Sequence, residues 1–418
     1  ESVQIRFGKL QNTVIDKSGE MKMADFIKRT WAEINLDAAV HNYNEIRKRA
    51  SKSAKVCCVI KADGYGHGAV MLAHLYEKLG ADWFAVSNIE EAMQLRSNGI
   101  TKPILILGYT PAECAQMLSE NNISQAVYSL EYAAALNECA EKAGVKIKIH
   151  LKLDTGMSRI GLLCQSKDED NEAVSQGMEI CSMPSFEPEG VFTHFAVADE
   201  GADGENFTVN QFDNFIYTVS KLEQMGIKFR IRHCANSGAI EDYPYMHLDM
   251  VRAGIVLYGL APSCKIKNPL DLQPVMELKS AVSHTKEIHP GMTVSYGRTY
   301  TADRSERLAT IPVGYADGYV RSIAKDGYVL LHGKRAKIRG RICMDQTMVD
   351  ISGVDNVKIG DVATVFGRAE NAPSADDIAN WIGTINYEVT CIVGKRVARV
   401  YLKNNEIVST HTLLDKEM

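Results

Sequence analysis

Lys61 follows five apolar residues, Val56–Ile60, and precedes a loop holding Gly64, Gly66 and Gly68. The apolar run is too short for a typical helix and reads as a strand buried on both faces. Barrel and open α/β enzymes keep their reactive groups at the carboxyl ends of such strands. A lysine there can serve as a base or form a Schiff base with a carbonyl compound; it can equally snorkel from a strand end without chemistry. Further candidates stand at the ends of later apolar runs. Lys152 and Asp154 close Ile147–Asp154, and His194 closes Glu189–Phe195. Asn236 and Ser237 follow Phe229–Cys234, and Arg252, Gly254 and Ile255 close the run that starts at Asp249. Singly, His194 is compatible with a core histidine and Ser237 with a helix cap. Their convergence on strand ends carries more weight than either alone.

A hydroxyl and bare backbone N–H groups after the last two strands form the usual phosphate cradle of a barrel. A lysine and a phosphate cradle at one barrel mouth suggest pyridoxal 5'-phosphate (PLP). The loop Gly64-Tyr-Gly-His-Gly68 has neither dinucleotide-binding nor Walker spacing, and the histidines show no metal-binding spacing, so no metal is expected. Lys plus Arg is 47 against 52 Asp plus Glu, a net charge of −5 that argues against nucleic acid or an anionic membrane as partner. The ten cysteines are scattered and lack a C-x-x-C pair, which points to free thiols in a reducing compartment. With no apolar run near the roughly 20 residues of a membrane span, the expected location is the cytoplasm.

Eight apolar runs, the first at 56–61 and the last at Asp249–Gly254, alternate with segments of helical spacing such as Leu130–Ala143 and Asn210–Gly226. That rhythm predicts a (β/α)8 TIM barrel, with an open doubly wound sheet as the alternative. After about residue 275 the pattern changes to alternating, β-rich segments, among them Thr293–Thr301 and Tyr387–Leu402, with only Ser374–Ile382 helical. The expected organisation is a leader or linker of unknown role at 1–30, a barrel at 31–272 and a smaller, mostly β domain at 273–418. Asp37 is placed to cap a helix over Asp37–Ala50.

Eight motifs occur in order along the chain. They are Val59-Ile-Lys-Ala-Asp-Gly-Tyr-Gly-His-Gly68, Lys152-Leu-Asp-Thr-Gly-Met-Ser-Arg-Ile-Gly161, Phe192-Thr-His-Phe-Ala196 and Met250-Val-Arg-Ala-Gly-Ile-Val-Leu-Tyr-Gly259. Ser295-Tyr-Gly297, Pro312-Val-Gly-Tyr-Ala-Asp-Gly318, Gly340-Arg-Ile-Cys-Met-Asp345 and Asn386-Tyr-Glu-Val389 complete the set. With these motifs the chain resembles the PLP-dependent alanine racemases from Trp31 to Tyr401. The resemblance implies a homodimer with shared active sites, an amino-acid substrate and a supply of D-alanine for peptidoglycan. It makes Lys61 the cofactor's lysine and the base on one face of the substrate, with Tyr296 of the other subunit acting on the opposite face. Arg252 meets the pyridine nitrogen by the same resemblance, and a hydrogen-bond chain runs from the tyrosine through His194 to it. Tyr65, Ser237, Gly254, Ile255 and Tyr387 hold the phosphate, with Asn236 beside them. Arg159 lies near the cofactor's phenolic oxygen and the substrate carboxylate, and Lys152 resembles a lysine that is carbamylated in some members. Met344 and Asp345 meet the substrate, and Tyr315 lines the access corridor.

An arginine stays protonated, so one at the ring nitrogen discourages the ring from gaining a proton and weakens it as an electron sink. That favours α-proton exchange over transamination, and it counts against a barrel decarboxylase, which needs an acidic residue there. A PLP-binding regulator on a lone barrel would lack the second domain. The remaining alternative is the catalytic domain of a vancomycin-resistance type serine racemase, converting L-serine to D-serine behind a membrane-embedded portion.

Overall fold

The computed structural model describes residues 13–15, 21–23 and 26–415, so most of the 1–30 stretch lies outside the described residues. The chain divides into two compact units. One runs from Ala38 to Pro274; the other joins the residues up to Asp37 with those from Val275 onward. The strand β1, Thr30–Asn35, straddles the expected boundary between leader and barrel but belongs to the second unit. It pairs antiparallel with Met276–Ala281 and parallel with Ala398–Lys403. Thr30 fixes it further, its hydroxyl bonding Ser280 Oγ at 2.9 Å and donating to Pro312 O at 2.7 Å.

The helix α1, Leu36–Arg49, follows directly. Asp37 therefore lies inside its first turn rather than capping it, and its carboxylate accepts the Asn404 N–H at 2.6 Å. The first unit then alternates strand and helix: β2 (Lys55–Val59), α2 (Ala69–Leu79), β3 (Trp83–Val86), α3 (Ile89–Ser97), β4 (Ile104–Ile106), α4 (Ala115–Glu120), β5 (Ile123–Val127), α5 (Leu130–Ala143), β6 (Ile147–Asp154), α6 (Lys167–Cys181), β7 (Phe186–Phe192), α7 (Ala202–Gln224), β8 (Ile231–His233), α8 (Ser237–Asp242) and β9 (Met250–Ala253). All pairings among β2 to β9 are parallel, in the order β8-β7-β6-β5-β4-β3-β2-β9. Backbone bonds from Asp249 N to Arg232 O (3.1 Å) and Arg252 N to Ala235 O (2.9 Å) draw the two ends of this series together. The result is a nearly closed eight-stranded barrel, as the alternation predicts. All strand carboxyl ends therefore open on one rim.

The second unit is mostly β, with two α-helices after residue 370 among its described residues. Ala375–Ile382 is capped by Ser374, whose hydroxyl accepts the Asp377 N–H while the Asp377 carboxylate accepts the Ser374 N–H. Asn386–Cys391 is also a helix, although its run of Val, Thr and Ile reads as strand. The Asn386 amide donates to Asp376 Oδ1 at 2.8 Å, anchoring the turn to the preceding helix; tertiary context overrides a weak local propensity. Among the described residues, no helix is long and apolar enough to cross a membrane.

Candidate active site at the barrel rim

Lys61 stands one residue beyond Ile60, at the carboxyl end of β2, and opens a tight turn through Tyr65. The turn is left-handed: φ is positive at Ala62, Asp63, Gly64, Tyr65 and Gly66. Three of these are not glycine, and each such residue costs roughly 1–2 kcal/mol. The surroundings hold the conformation. Glu91 accepts from Ala62 N and Ser87 N, both at 2.7 Å, and Asp63 Oδ1 accepts the Ala69 N–H at the start of α2. The consequence is a rigid presentation of Lys61 and, four residues on, of Tyr65. The Tyr65 ring stacks on Tyr258 (4.7 Å between centroids), whose hydroxyl donates to Val59 O at 2.8 Å.

Opposite Tyr65 lies the turn after β9. Gly254 N donates to Ser237 Oγ at 3.1 Å. A Cβ on Gly254 would stand 3.2 Å from Tyr65 Oη and 3.4 Å from Ser237 Oγ. Two hydroxyls therefore converge on backbone left bare by a glycine, with Ile255 opening the next turn. Asn236, not Ser237, caps α8, its side chain accepting the Ala239 N–H at 3.1 Å. That leaves the serine hydroxyl for the cradle. The arrangement fits a phosphate group.

Arg252 is 3% exposed, and its hydrogen-bond partners are uncharged. It donates to Thr193 O (2.8 Å), Cys234 O (3.1 Å), His233 Nδ1 (3.0 Å) and His194 Nδ1 (3.2 Å). Its guanidinium and the Lys152 ammonium both lie over the Phe192 ring. Burial pulls the guanidinium down to about 10, which leaves it charged at neutral pH. Lys152 is buried and donates to Leu153 O; burial, then the Arg252 charge, brings its amine down to about 7. His194 is held well below the usual histidine range by burial and by the charges of Arg252, Lys152, Arg159 and Lys61. A neutral His194 accepting from Arg252 at Nδ1 carries its proton on Nε2. Gln211 of α7 fixes the His194 loop, accepting from Ala196 N and donating to His194 O and Thr155 Oγ1. Arg159 is exposed on the loop after β6. Asp154 shapes that loop by accepting the Gly156 and Ser158 N–H groups (3.1 and 2.9 Å).

In the second unit three motifs meet. Tyr296 heads a turn with positive φ at Ser295, Gly297 and Arg298, and it is 69% exposed. Ser295 Oγ donates to Arg341 O at 2.6 Å, and a Cβ on Gly340 would stand 2.6 Å from Val294 O. Tyr315 N donates to Cys343 O and Ala316 N to Met344 O, which draws Tyr315 to Met344 and Asp345. Arg396 bridges Asp345 (2.7 Å) to the buried Asp317 (2.8 Å), which Arg29 also pairs. Tyr387 lies on the Asn386–Cys391 helix. Among the described residues no cluster of three or more His, Cys, Asp or Glu could hold a metal ion.

Sequence reasoning missed His150, His233 and Glu189, which lie behind Arg252. One signal was available: in Ile147-Lys-Ile-His-Leu-Lys-Leu-Asp154 the polar residues fall at every second position, so His150 shares a strand face with Lys152.

A parallel barrel with a lysine, a hydroxyl-and-amide cradle and a buried arginine on its carboxyl rim defines an α/β-barrel enzyme with a strongly basic mouth. Comparison with known proteins narrows the class. The family profile described as "Alanine racemase, N-terminal domain" matches residues 34–262, and "Alanine racemase, C-terminal domain" matches 275–401. An alanine racemase of Desulfovibrio desulfuricans is 47% identical over 381 residues, covering 91% of this chain and all of the relative. The alanine racemase structure from Clostridium difficile superposes with a TM-score of 0.87 at 45% identity, covering 93% of this chain and 100% of that one. The Bacillus anthracis alanine racemase structure with bound L-Ala-P gives 0.86 at 34% identity, covering 93% and 99%. The chain belongs to the alanine racemase family, and so to the isomerases.

Proposed function

We propose that this protein interconverts L-alanine and D-alanine with PLP as cofactor, in a homodimer whose two subunits share each active site, and that it supplies D-alanine for peptidoglycan in the cytoplasm. The single observation that carries the racemase reading is Arg252, buried and charged among uncharged partners. Tyr65, Ser237, Gly254 and Ile255 would hold the phosphate, together with Tyr387, and Arg252 would face the ring nitrogen. When bound, PLP supplies an aldehyde for amines and an electron sink for the substrate α-carbon.

The chain's own residues do the rest. Racemisation needs one group to remove the α-proton and another to return it from behind. The Lys61 amine serves one face, and Tyr296 of the partner subunit serves the other. The strained turn that leaves Tyr296 exposed supports a role outside its own unit. His194, neutral with its proton on Nε2, is a donor suited to steady the tyrosine oxygen. Arg252 stays protonated at neutral pH, so it keeps the ring neutral and restricts the chemistry to proton exchange. Arg159 receives the substrate carboxylate together with the backbone N–H groups of Met344 and Asp345, since the Asp345 side chain only accepts and is engaged by Arg396, and Tyr315 lines the approach. Lys152 orients Arg159 as a carbamate, formed when its neutral amine adds CO2 and releases a proton. An amine brought down to about 7 has the free electron pair that this addition requires. With 13C-labelled bicarbonate, a carbamate carbon resonance is expected that vanishes in Lys152→Ala; its absence from the wild type rules the modification out.

The defining assay follows L-alanine and L-serine side by side by chiral chromatography, with and without added PLP. A strong, PLP-dependent preference for L-alanine is expected. Comparable turnover of L-serine would replace the proposal with a serine racemase, and no turnover of either would leave a PLP-binding protein without this activity.

A further inference from the structure

Behind Arg252 the barrel interior holds a polar chain that runs away from the mouth. Arg252 Nη1 lies 3.0 Å from His233 Nδ1, His233 Nε2 lies 2.9 Å from His150 Nδ1, and His150 Nε2 faces Glu189 Oε2 at 3.5 Å. Ser124 donates to the same carboxylate oxygen at 2.7 Å, and the exposed Arg230 lies 3.4 Å from the other. His150, His233 and Arg252 are all buried. The strands are shaped around the chain: a Cβ on Gly190 would stand 2.5 Å from His150 Nδ1, so this glycine of β7 makes room for the ring.

The protons of this chain can be assigned from the donor inventory. Arginine offers no acceptor, so Arg252 donates to His233 Nδ1. The proton of neutral His233 is then on Nε2 and goes to His150 Nδ1. His150 in turn carries its proton on Nε2 and points it at Glu189. Burial keeps both imidazoles below the usual histidine range. Burial also raises the Glu189 carboxyl, but the facing His150 imidazole, 3.5 Å away, and the Ser124 hydroxyl more than offset this and hold it below its usual range. An ionised carboxylate only accepts. Every link therefore has one allowed direction, matched at one end by the donor-only guanidinium and at the other by the accepting carboxylate of Glu189.

We propose that Glu189, acting through His150 and His233, is a positioning residue for Arg252, fixing both ring tautomers so that the guanidinium meets acceptors alone. The functional half of this inference rests on the racemase reading; the tautomer half does not. An amide at 189 could donate to His150 Nε2. The proton of His150 would then sit on Nδ1, and that of His233 on Nδ1, aimed at Arg252. Donor would face donor, and the guanidinium would shift.

The test combines Glu189→Gln with 15N-histidine spectra of the PLP-loaded and PLP-free protein. In the wild type, both buried rings are expected as neutral Nε2–H tautomers. Glu189→Gln should populate the Nδ1–H forms and lower kcat about ten- to a hundredfold with little change in KM. His150→Phe, which keeps an aromatic ring beside Trp83 but cuts the chain, should lose kcat similarly while retaining its fold. An Nδ1–H tautomer at either ring in the wild type, or wild-type kcat in both variants, overturns the proposal. A wild type with the expected tautomers but no alanine racemisation would instead overturn the racemase reading and leave the chain assignment standing.

Discussion

Lys61→Ala is expected to lower alanine racemisation by at least about 10⁴-fold, beyond the range for loss of a general base alone. In the proposed mechanism two functions leave with one amine: covalent attachment of the cofactor and proton transfer on one face of the substrate. The position argues for both. Lys61 is the first residue of the left-handed turn after β2, and that turn also carries Tyr65 of the cradle. The turn itself is held by Glu91, Asp63 and the Tyr65–Tyr258 stack. The variant should therefore fold, as an unchanged circular dichroism spectrum would show. It should also lose the visible absorbance of the lysine-linked cofactor while still binding PLP through the phosphate cradle. Racemisation at the wild-type rate would end the proposed role of Lys61.

Tyr296→Phe is expected to lower kcat/KM by about 10²–10⁴-fold, the usual contribution of a positioned acid or base. Mirror symmetry sets the equilibrium constant between the enantiomers at unity, so kcat/KM must fall equally in both directions. The asymmetry appears elsewhere. Without the tyrosine oxygen one proton transfer becomes the slow step. The α-deuterium isotope effect should then rise for the enantiomer whose proton Tyr296 removes, and much less for its mirror image. Isotope effects equal in both directions and unchanged from wild type would remove Tyr296 from the mechanism. The same variant tests the shared site. Lys61→Ala and Tyr296→Phe subunits, each nearly inactive, should regain up to about a quarter of wild-type activity when exchanged, because a mixed dimer assembles one intact Lys61–Tyr296 site. No recovery in verified mixed dimers would place both residues in one subunit's own site.

Much of the barrel was legible because its cause is local. Each buried parallel strand needs its own apolar run, each helix its own spacing, and reactive groups accumulate where strands end. Lys61, Lys152, His194, Ser237, Arg252 and Gly254 could be picked out from their positions at those ends. Their pairing in space could not. That Tyr65 Oη and Ser237 Oγ converge on Gly254 depends on a left-handed turn, with positive φ at Ala62, Asp63 and Tyr65, that no local propensity favours.

The class of fold, the strand-end candidates and the resemblance to the alanine racemases can be read from residue order, since period, composition and motif order are properties of neighbouring residues. That Thr30–Asn35 joins the β-rich unit and that Asn386–Cys391 is a helix rather than a strand emerges only in three dimensions. So does the alignment of His150, His233 and Glu189 behind Arg252. Strand partners, register and barrel closure bring together residues far apart in the chain, and a buried charge takes its neighbours, and with them its chemistry, from that closure.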